Sequence, residues 1–118
     1  MSHAVETFFE AWGDPNPDTR AATLRAILPT ELYYLDPRTS DALTDIDALI
    51  GYIAMYTEYA PGASARVVNL STTGSTQRAT VEFAMADGMK QFGQYFIEPD
   101  DQSRPARMTG FVGLGEPE

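Results

Sequence analysis

The segment "YYLDPR", residues 33–38, places one carboxylate directly after an apolar, aromatic stretch and directly before a proline. A carboxylate among apolar neighbours can act as a general base towards a C–H bond beside a carbonyl group. Asp36 is therefore our first candidate for catalysis. The structural alternative is that Asp-Pro ends a strand and that the carboxylate accepts hydrogen bonds from backbone N–H groups of a turn.

Tyrosine hydroxyls and aromatic rings supply further candidates for a ligand site. Tyr52 and Tyr56 are four residues apart, so a helix would bring both hydroxyls to one cavity wall. Packing in the core or in a dimer is the alternative role for this pair. We expect four more aromatic residues to shape an apolar, substrate-binding pocket: Trp12, Tyr33, Phe83 and Phe96.

Composition excludes several kinds of site. The chain has no cysteine, which rules out a disulfide framework, a cysteine-bound zinc ion and thiol catalysis. Its one histidine, His3, stands near the terminus, where we expect exposure to solvent. Without a second histidine we exclude a histidine-based metal site, and we exclude a Ser-His-Asp triad as well. We therefore expect no metal and no cofactor.

Size and charge narrow the class of protein. The 118 residues suit a single domain, residues 1–118, and an apolar content of 43% is enough for a hydrophobic core. A net charge of −9 repels phosphate backbones, so we expect no nucleic-acid partner. No apolar run approaches the roughly 20 residues that span a bilayer, and the first residues do not resemble a signal peptide. We expect a cytoplasmic protein without a membrane partner.

Hydrophobic spacing predicts three helices. Between Val5 and Trp12 apolar residues recur at i, i+3, i+4 and i+7, the pattern of a helix with one buried face. Thr44 is the expected N-cap of another helix, with Asp47 three residues further on as an acidic version of the capping box. Proline and glycine set the limits, which gives helices at about 5–12, 17–28 and 45–59.

Strand patterns account for the rest of the chain. "ELYYLDP" is a short strand between the second and third helices, and after Pro61 the period of the sequence changes to two. Four strands follow, joined by short turns: "SARVVNLSTT", "QRATVEFAMA", "MKQFGQYFIE" and "ARMTGFVGL". The order α-α-β-α-β-β-β-β predicts an α+β fold in which a curved antiparallel sheet wraps around the helices.

The pair Asp87-Gly88 predicts the register of the central hairpin. If these two residues form the whole turn, Phe83 lies opposite Phe92 and Val81 lies opposite Gln94. The face towards the helices then also carries Phe96. Gln94 is polar on this apolar face, so it either has a hydrogen-bonding partner in the core or lines a wet pocket.

These elements and three local patterns resemble the SnoaL-like, nuclear transport factor 2-like superfamily. The patterns are "YYLDP" followed about ten residues on by "DIDALIGYI", the "DG" hairpin, and "GQYFIEPDD" running through a polar turn to "TGF". The resemblance extends over residues 5–111 and implies a cone-shaped fold around an apolar cavity, often dimeric through the sheet. The superfamily includes isomerases, polyketide cyclases, dehydratases and non-catalytic binding modules, so the fold does not specify the function.

Ketosteroid isomerase is the closest catalytic comparison within this resemblance. There the aspartate of an Asp-Pro pair at the end of the first strand is the general base, which implies that role for Asp36. An oxyanion donor on the strand matching "GQYFIE" aligns with Gln94, whose amide can donate a hydrogen bond. The tyrosine donor on the first helix aligns with Phe8 or Phe9, which carry no hydroxyl.

The preferred hypothesis is an apolar cavity for a small hydrophobic or aromatic ligand, in a homodimer formed through the sheet. Asp36, with Gln94 or a tyrosine as donor, would serve a cofactor-free isomerase, cyclase or dehydratase. The alternative is a non-catalytic ligand-binding or dimerisation module of the same fold. A third hypothesis is an accessory domain that docks to another protein through an exposed patch of Tyr95, Ile97 and Phe111.

Overall fold

The computed structural model describes residues 4–114, so the expectation for His3 falls outside the described residues. The three predicted helices and five predicted strands are all present, and one short strand, β2, is added. Its three residues are too few for a sequence pattern. The elements are α1 Ala4–Ala11, α2 Pro17–Ile27, β1 Glu31–Leu35, β2 Leu43–Asp45, α3 Ile46–Tyr59, β3 Ser64–Thr73, β4 Thr76–Ala84, β5 Lys90–Pro99 and β6 Pro105–Val112.

The six strands form one curved sheet in the order β2-β1-β6-β5-β4-β3. The predicted sheet is wholly antiparallel, but β1 runs parallel to β6 and the observed sheet is mixed. This arises because β2 and α3 carry the chain from β1 to the far edge of the sheet, and the meander β3–β6 then returns beside β1. Together with the three helices this gives the expected α+β, cone-like arrangement. Among residues 4–114, no helix combines the length and apolar composition needed to cross a membrane.

The β4–β5 turn contains three residues, and the predicted two-residue turn is wrong. Met85 and Met89 close the loop through a 2.7 Å hydrogen bond from the Met85 N–H to the Met89 carbonyl. Gly88 has a φ of 93°, and the Asp87 carboxylate accepts a hydrogen bond from the Met89 N–H. A positive φ at the third loop residue is typical of three-residue hairpins. The DG pair therefore marks the turn but not its length.

The extra loop residue shifts the hairpin register by one position. Val81 lies opposite Gly93 and Phe83 opposite Gln91, instead of Gln94 and Phe92. Because side chains alternate across a strand, a shift of one reverses which β5 residues face the helices. The inward residues are Tyr95 and Ile97, both buried, whereas Gln94 and Phe96 lie on the outer face. The expected inward position of Phe96 and the expected outward patch with Tyr95 and Ile97 are therefore wrong.

The N-cap of helix α3 is one residue later than predicted. Thr44 belongs to β2, and the N-cap is Asp45, whose side chain accepts a 2.8 Å hydrogen bond from the Ala48 N–H. Asp and Thr are both favoured N-caps, and pairing of β2 with β1 places Asp45 at the helix start. Helix α2 begins at Pro17, as predicted, with Asn16 as its cap.

Gly110 makes room for the ring of Tyr95 in the centre of the sheet. The two residues are directly opposite each other on β6 and β5. A Cβ atom at position 110 would lie 2.5 Å from the Cε2 atom of Tyr95, closer than real packing permits. The glycine of "TGF" therefore determines where the Tyr95 ring lies.

We predict that Gly110→Ala destabilises the protein by about 1–3 kcal/mol, the usual cost of overpacking a core. The matched control is Gly51→Ala in α3, where the added Cβ has no atom within 4 Å apart from its chain neighbours and the backbone of its own helix. There the higher helix propensity of alanine should stabilise by up to about 1 kcal/mol. Urea denaturation of both variants measures the difference, and equal effects would show that position 110 has space for a methyl group.

Candidate functional site

Strand alternation brings Asp36 into the interior at the end of β1. Leu32, Tyr34 and Asp36 are buried, whereas Tyr33 and Leu35 between them point to the other side and are half-buried. The following turn is held by the Thr39 hydroxyl, which accepts a hydrogen bond from the Asp36 N–H and donates one to the Asp36 carbonyl, each over 3.1 Å. The carboxylate is thus placed by a rigid strand and a bonded turn.

Four donors of this chain surround the Asp36 carboxylate. The Tyr34 hydroxyl donates to Oδ2 over 2.6 Å, and the Tyr52 hydroxyl lies 2.8 Å from Oδ2 and 3.0 Å from Oδ1. The N–H groups of Arg38 and Thr39 donate to Oδ1 over 2.8 Å and 3.1 Å. The backbone bonds expected of a structural aspartate are therefore present together with two phenols. A carboxylate has about four lone-pair positions, so its acceptor capacity is in use.

Tyr95 extends this cluster from β5. Its hydroxyl oxygen is 3.4 Å from that of Tyr34. Because a carboxylate only accepts, Tyr34 directs its single proton to Asp36, and Tyr95 must be the donor in the longer bond. Burial raises the pKa of Tyr34 well above its usual range, and burial likewise raises the pKa of Tyr95 and of Tyr52. All three phenols therefore remain protonated donors near neutral pH.

A cavity of about 590 Å³ opens beside Asp36 and Tyr95. This volume is within the range of about 300–1,000 Å³ that is typical of small-molecule sites. Arg38 and Lys90 are the cations along it. Its walls are otherwise largely apolar and include Phe83, Phe92, Phe111, Val112 and Leu114. A carboxylate, a neutral hydroxyl donor and apolar walls thus meet in one cavity, a combination suited to moving a proton on a carbonyl compound.

The predicted site residues divide into those at the cluster and those elsewhere. Tyr52 bonds to Asp36, and Phe83 lines the same cavity as Asp36. Tyr56 lines a neighbouring cavity, with its hydroxyl oxygen buried and without a hydrogen-bond partner. Trp12 is 1% exposed and packs edge-on against Tyr56 in the core, with 5.2 Å between ring centroids.

The remaining predicted residues lie away from the carboxylate. The Tyr33 ring is outside the core beneath the Arg107 guanidinium, whose carbon is 3.9 Å from the ring centre. Gln94 donates its amide to the Leu114 carbonyl and accepts a hydrogen bond from the Thr80 hydroxyl. Because of the register shift, the Gln94 side chain lies on the outer face of the sheet. Its amide has hydrogen-bond partners there and is not directed at Asp36. In the part of the chain that the structure describes, no cluster of metal-binding side chains is present.

Two residues of the cluster, Tyr34 and Tyr95, were not among the predicted site residues. Strand alternation alone could have identified Tyr34. Residues two apart on a strand share a face, so Tyr34 lies on the same face as Asp36. Tyr95 depended on the hairpin register, which the DG pair does not determine. Each is the immediate neighbour of a predicted residue, Tyr33 and Gln94 respectively.

The structure is similar to solved proteins of the expected superfamily. A SnoaL-like family protein from Agrobacterium tumefaciens superposes with a TM-score of 0.84 at 16% identity, over 94% of this chain and 95% of that one. A protein from Catenulispora acidiphila with a ketosteroid isomerase-like fold gives 0.76 at 10% identity, over 97% and 88%. An NTF2-like protein of unknown function from Exiguobacterium gives 0.72 at 15% identity, over 93% and 98%.

These similarities confirm the fold that the sequence resemblance implied. The chain has the cone-like fold shared by SnoaL-like, ketosteroid isomerase-like and NTF2-like proteins. No family profile and no curated protein matches the sequence. Identities of 10–19% carry no information about substrate, so the function has to be argued from the Asp36 site itself.

The phenol cluster predicts that stability falls in alkaline solution. The raised pKa values of Tyr34 and Tyr95 mean that these phenols keep their protons in the folded state above pH 10, where the unfolded chain loses them. The contribution of these protonated phenols to the free energy of unfolding is therefore complete below about pH 10. Above that pH the free energy of unfolding declines by about 1.4 kcal/mol per pH unit for each such phenol. Denaturant titrations between pH 8 and 11 should show this decline, and Tyr34→Phe should reduce its slope.

Tyr56→Phe is the matched control for Tyr34→Phe at neutral pH. Tyr34→Phe removes a bond to a charged group and should cost about 1.5–3 kcal/mol, whereas Tyr56→Phe removes a buried hydroxyl without a partner and should be neutral or stabilising. A flat stability profile up to pH 11, or equal costs for the two variants, would contradict the hydrogen-bonded cluster.

Proposed function

We propose that the protein binds a small hydrophobic or aromatic carbonyl compound beside Asp36 and catalyses proton transfer on it without a cofactor. The observation that carries this proposal is that a buried carboxylate and a neutral tyrosine, Tyr95, line the same apolar cavity. A base and a hydrogen-bond donor in one largely apolar site are what enolisation requires. The reaction would be an isomerisation, a cyclisation or a dehydration.

In the proposed step Asp36 takes a proton from the carbon next to the substrate carbonyl. The electron pair of the broken C–H bond forms the C=C bond of an enolate, and the negative charge moves to the carbonyl oxygen. Tyr95 donates its hydroxyl proton in a hydrogen bond to this oxygen, giving up only the long bond to Tyr34. In an isomerisation Asp36 returns the proton to a different carbon of a conjugated enolate, which moves the C=C bond. In a dehydration the enolate expels a β-hydroxyl, which leaves as water with the proton from Asp36. In a cyclisation the enolate carbon attacks a second carbonyl carbon, whose oxygen takes that proton. Each course restores the carboxylate.

Tyr52 has to yield one acceptor position for this step. Its hydroxyl bridges both carboxylate oxygens, and its side chain is half-buried, so a small displacement leaves it bonded to one oxygen and frees the other. Tyr34 is fully buried and keeps its place on Oδ2. The roles proposed for the cluster are thus base for Asp36, oxyanion donor for Tyr95 and positioning for Tyr34.

The rival proposal is a non-catalytic binding module, and one observation favours it. All four lone-pair positions of Asp36 are matched by donors of the protein, as in an aspartate that only stabilises a turn and a helix contact. In that case ligands would occupy the cavity and leave chemically unchanged. The two proposals differ in whether protons of a bound ketone exchange with solvent.

We predict that the wild-type protein accelerates exchange of the α-protons of 2-tetralone in D₂O, measured by loss of their ¹H NMR signals. Asp36→Asn should slow the catalysed exchange by about 100-fold or more, and Tyr95→Phe should slow it by a similar order. Asp101→Asn is the matched control, because Asp101 is an exposed acid in the loop after β5 and should leave the rate unchanged.

Two results would contradict the catalytic proposal. One is wild-type exchange that equals the buffer rate while 2-tetralone shifts NMR signals of cavity residues, which is the behaviour of a binding module. The other is an Asp36→Asn protein that exchanges protons at the full wild-type rate, which would assign the base to a different group.

We also propose a homodimer formed through the outer face of the sheet. Phe96 and Phe111 pack edge-to-face there, with ring centroids 5.6 Å apart, and are 42% and 53% exposed. A contiguous apolar surface of this kind is commonly covered in solution, and the cone-fold resemblance supports a second copy as its cover.

Phe96→Asp should convert a dimer into a monomer, because pairing two copies would then bury an uncompensated charge at each Phe96 position. Light scattering coupled to size-exclusion chromatography measures the mass. Met55→Asp is the control, since Met55 is also exposed but lies on α3. A monomeric wild-type protein, or a dimer that survives Phe96→Asp, would refute this arrangement.

A further inference from the structure

A second cavity, of about 520 Å³, lies between α3 and the β4–β5 hairpin. Its walls are aromatic and thioether side chains, and the two cavities share Arg38 and Gln91 as lining residues. The residues of the second cavity other than these two are Tyr52, Met55, Tyr56, Tyr59, Ala60, Met85 and Met89. Methionine adapts its shape and makes favourable contacts with aromatic rings, so this lining suits a flat apolar group.

Arg38 stands at the junction of the two cavities. Its Nη2 donates a 3.1 Å hydrogen bond to Oε1 of Gln91, and its guanidinium carbon is 5.4 Å from the centre of the Tyr56 ring. Asp36 bonds to the backbone N–H of Arg38, and among residues 4–114 no carboxylate forms an ion pair with the Arg38 side chain. A neutral amide and an aromatic face thus hold a guanidinium that forms no ion pair among the described residues.

The other cation of the first cavity differs in this respect. Lys90 lies 3.8 Å from Glu82, which also lies 3.4 Å from Arg66. Guanidinium groups match carboxylates through two parallel hydrogen bonds, a geometry that a lysine ammonium does not offer. With a net charge of −9 the protein as a whole repels anions, so anion recognition depends on a local group such as Arg38.

We propose that the second cavity binds the aromatic part of an organic anion whose carboxylate pairs with Arg38. The carboxylate replaces the Gln91 amide as the partner of the guanidinium, and the ring lies against Tyr56 and between the methionines of α3 and the hairpin. This inference goes beyond the proposed function, because it requires binding at Arg38 and no proton transfer by Asp36. It makes Arg38 a specificity-determining residue.

The test compares 2-naphthoate with its neutral analogue 2-naphthamide on protein labelled with ¹³C at the methionine methyl groups. We expect 2-naphthoate to bind at least about tenfold more tightly, since a charge-assisted bidentate pair replaces neutral hydrogen bonds. The methyl signals of Met55, Met85 and Met89 should shift. Met108 is the internal reference, because it is 1% exposed in the core and its signal should stay in place.

Arg38→Gln should abolish the preference for the carboxylate, and Arg38→Lys should retain part of it. Arg78→Gln is the matched control, because Arg78 is exposed on β4 and lines neither cavity. Asp36→Asn should keep the preference, which separates this inference from the catalytic proposal. The inference is overturned if wild type shows no preference, if Arg38→Gln retains it, or if the methyl groups of Met55, Met85 and Met89 do not respond to 2-naphthoate.

Discussion

The burial of one carboxylate is the constraint on which the rest of this structure depends. A charged group removed from water requires several partners, and Asp36 obtains them from a turn, from its own strand and from α3. Three features satisfy this one requirement: the turn after β1, the inward direction of alternate side chains on that strand, and the orientation of Tyr52 on α3. The Tyr95 ring completes the arrangement from β5, in space that Gly110 leaves open.

The proposed activity requires a compromise between holding this carboxylate and leaving it able to react. A base needs an available lone pair, whereas a stable buried anion needs every lone pair matched. The half-buried position of Tyr52 offers a way to meet both needs. Its hydroxyl lies within hydrogen-bond distance of both carboxylate oxygens and can move away from one of them, whereas the backbone N–H groups contact Oδ1 alone. Tyr95 provides the complementary function, because a buried phenol with a raised pKa remains a donor.

Local sequence patterns predict the helices, the five longer strands and Asp36 as a candidate residue. This is possible because hydrophobic periodicity and an Asp-Pro pair are properties of neighbouring residues. The register of β4 and β5 does not follow from such patterns, since it depends on whether Ala86 joins the loop as an extra residue, and a glycine with a positive φ at position 88 suits turns of either length. That extra loop residue decides whether Gln94 or Tyr95 faces the interior. The parallel pairing of β1 with β6 and the meeting of Tyr34, Tyr52 and Tyr95 arise from contacts distant in sequence, which no short pattern specifies.

Tyr52 also connects the carboxylate to the element that forms one wall of the second cavity. The hydroxyl of this helix residue is bonded to Asp36, while other residues of α3 border the cavity near Arg38. The hydrogen bond between Tyr52 and Asp36 therefore joins helix α3 to the end of strand β1. The single side chain of Tyr52 therefore borders both the carboxylate and the second cavity, so the shape of both sites depends on where α3 holds this ring.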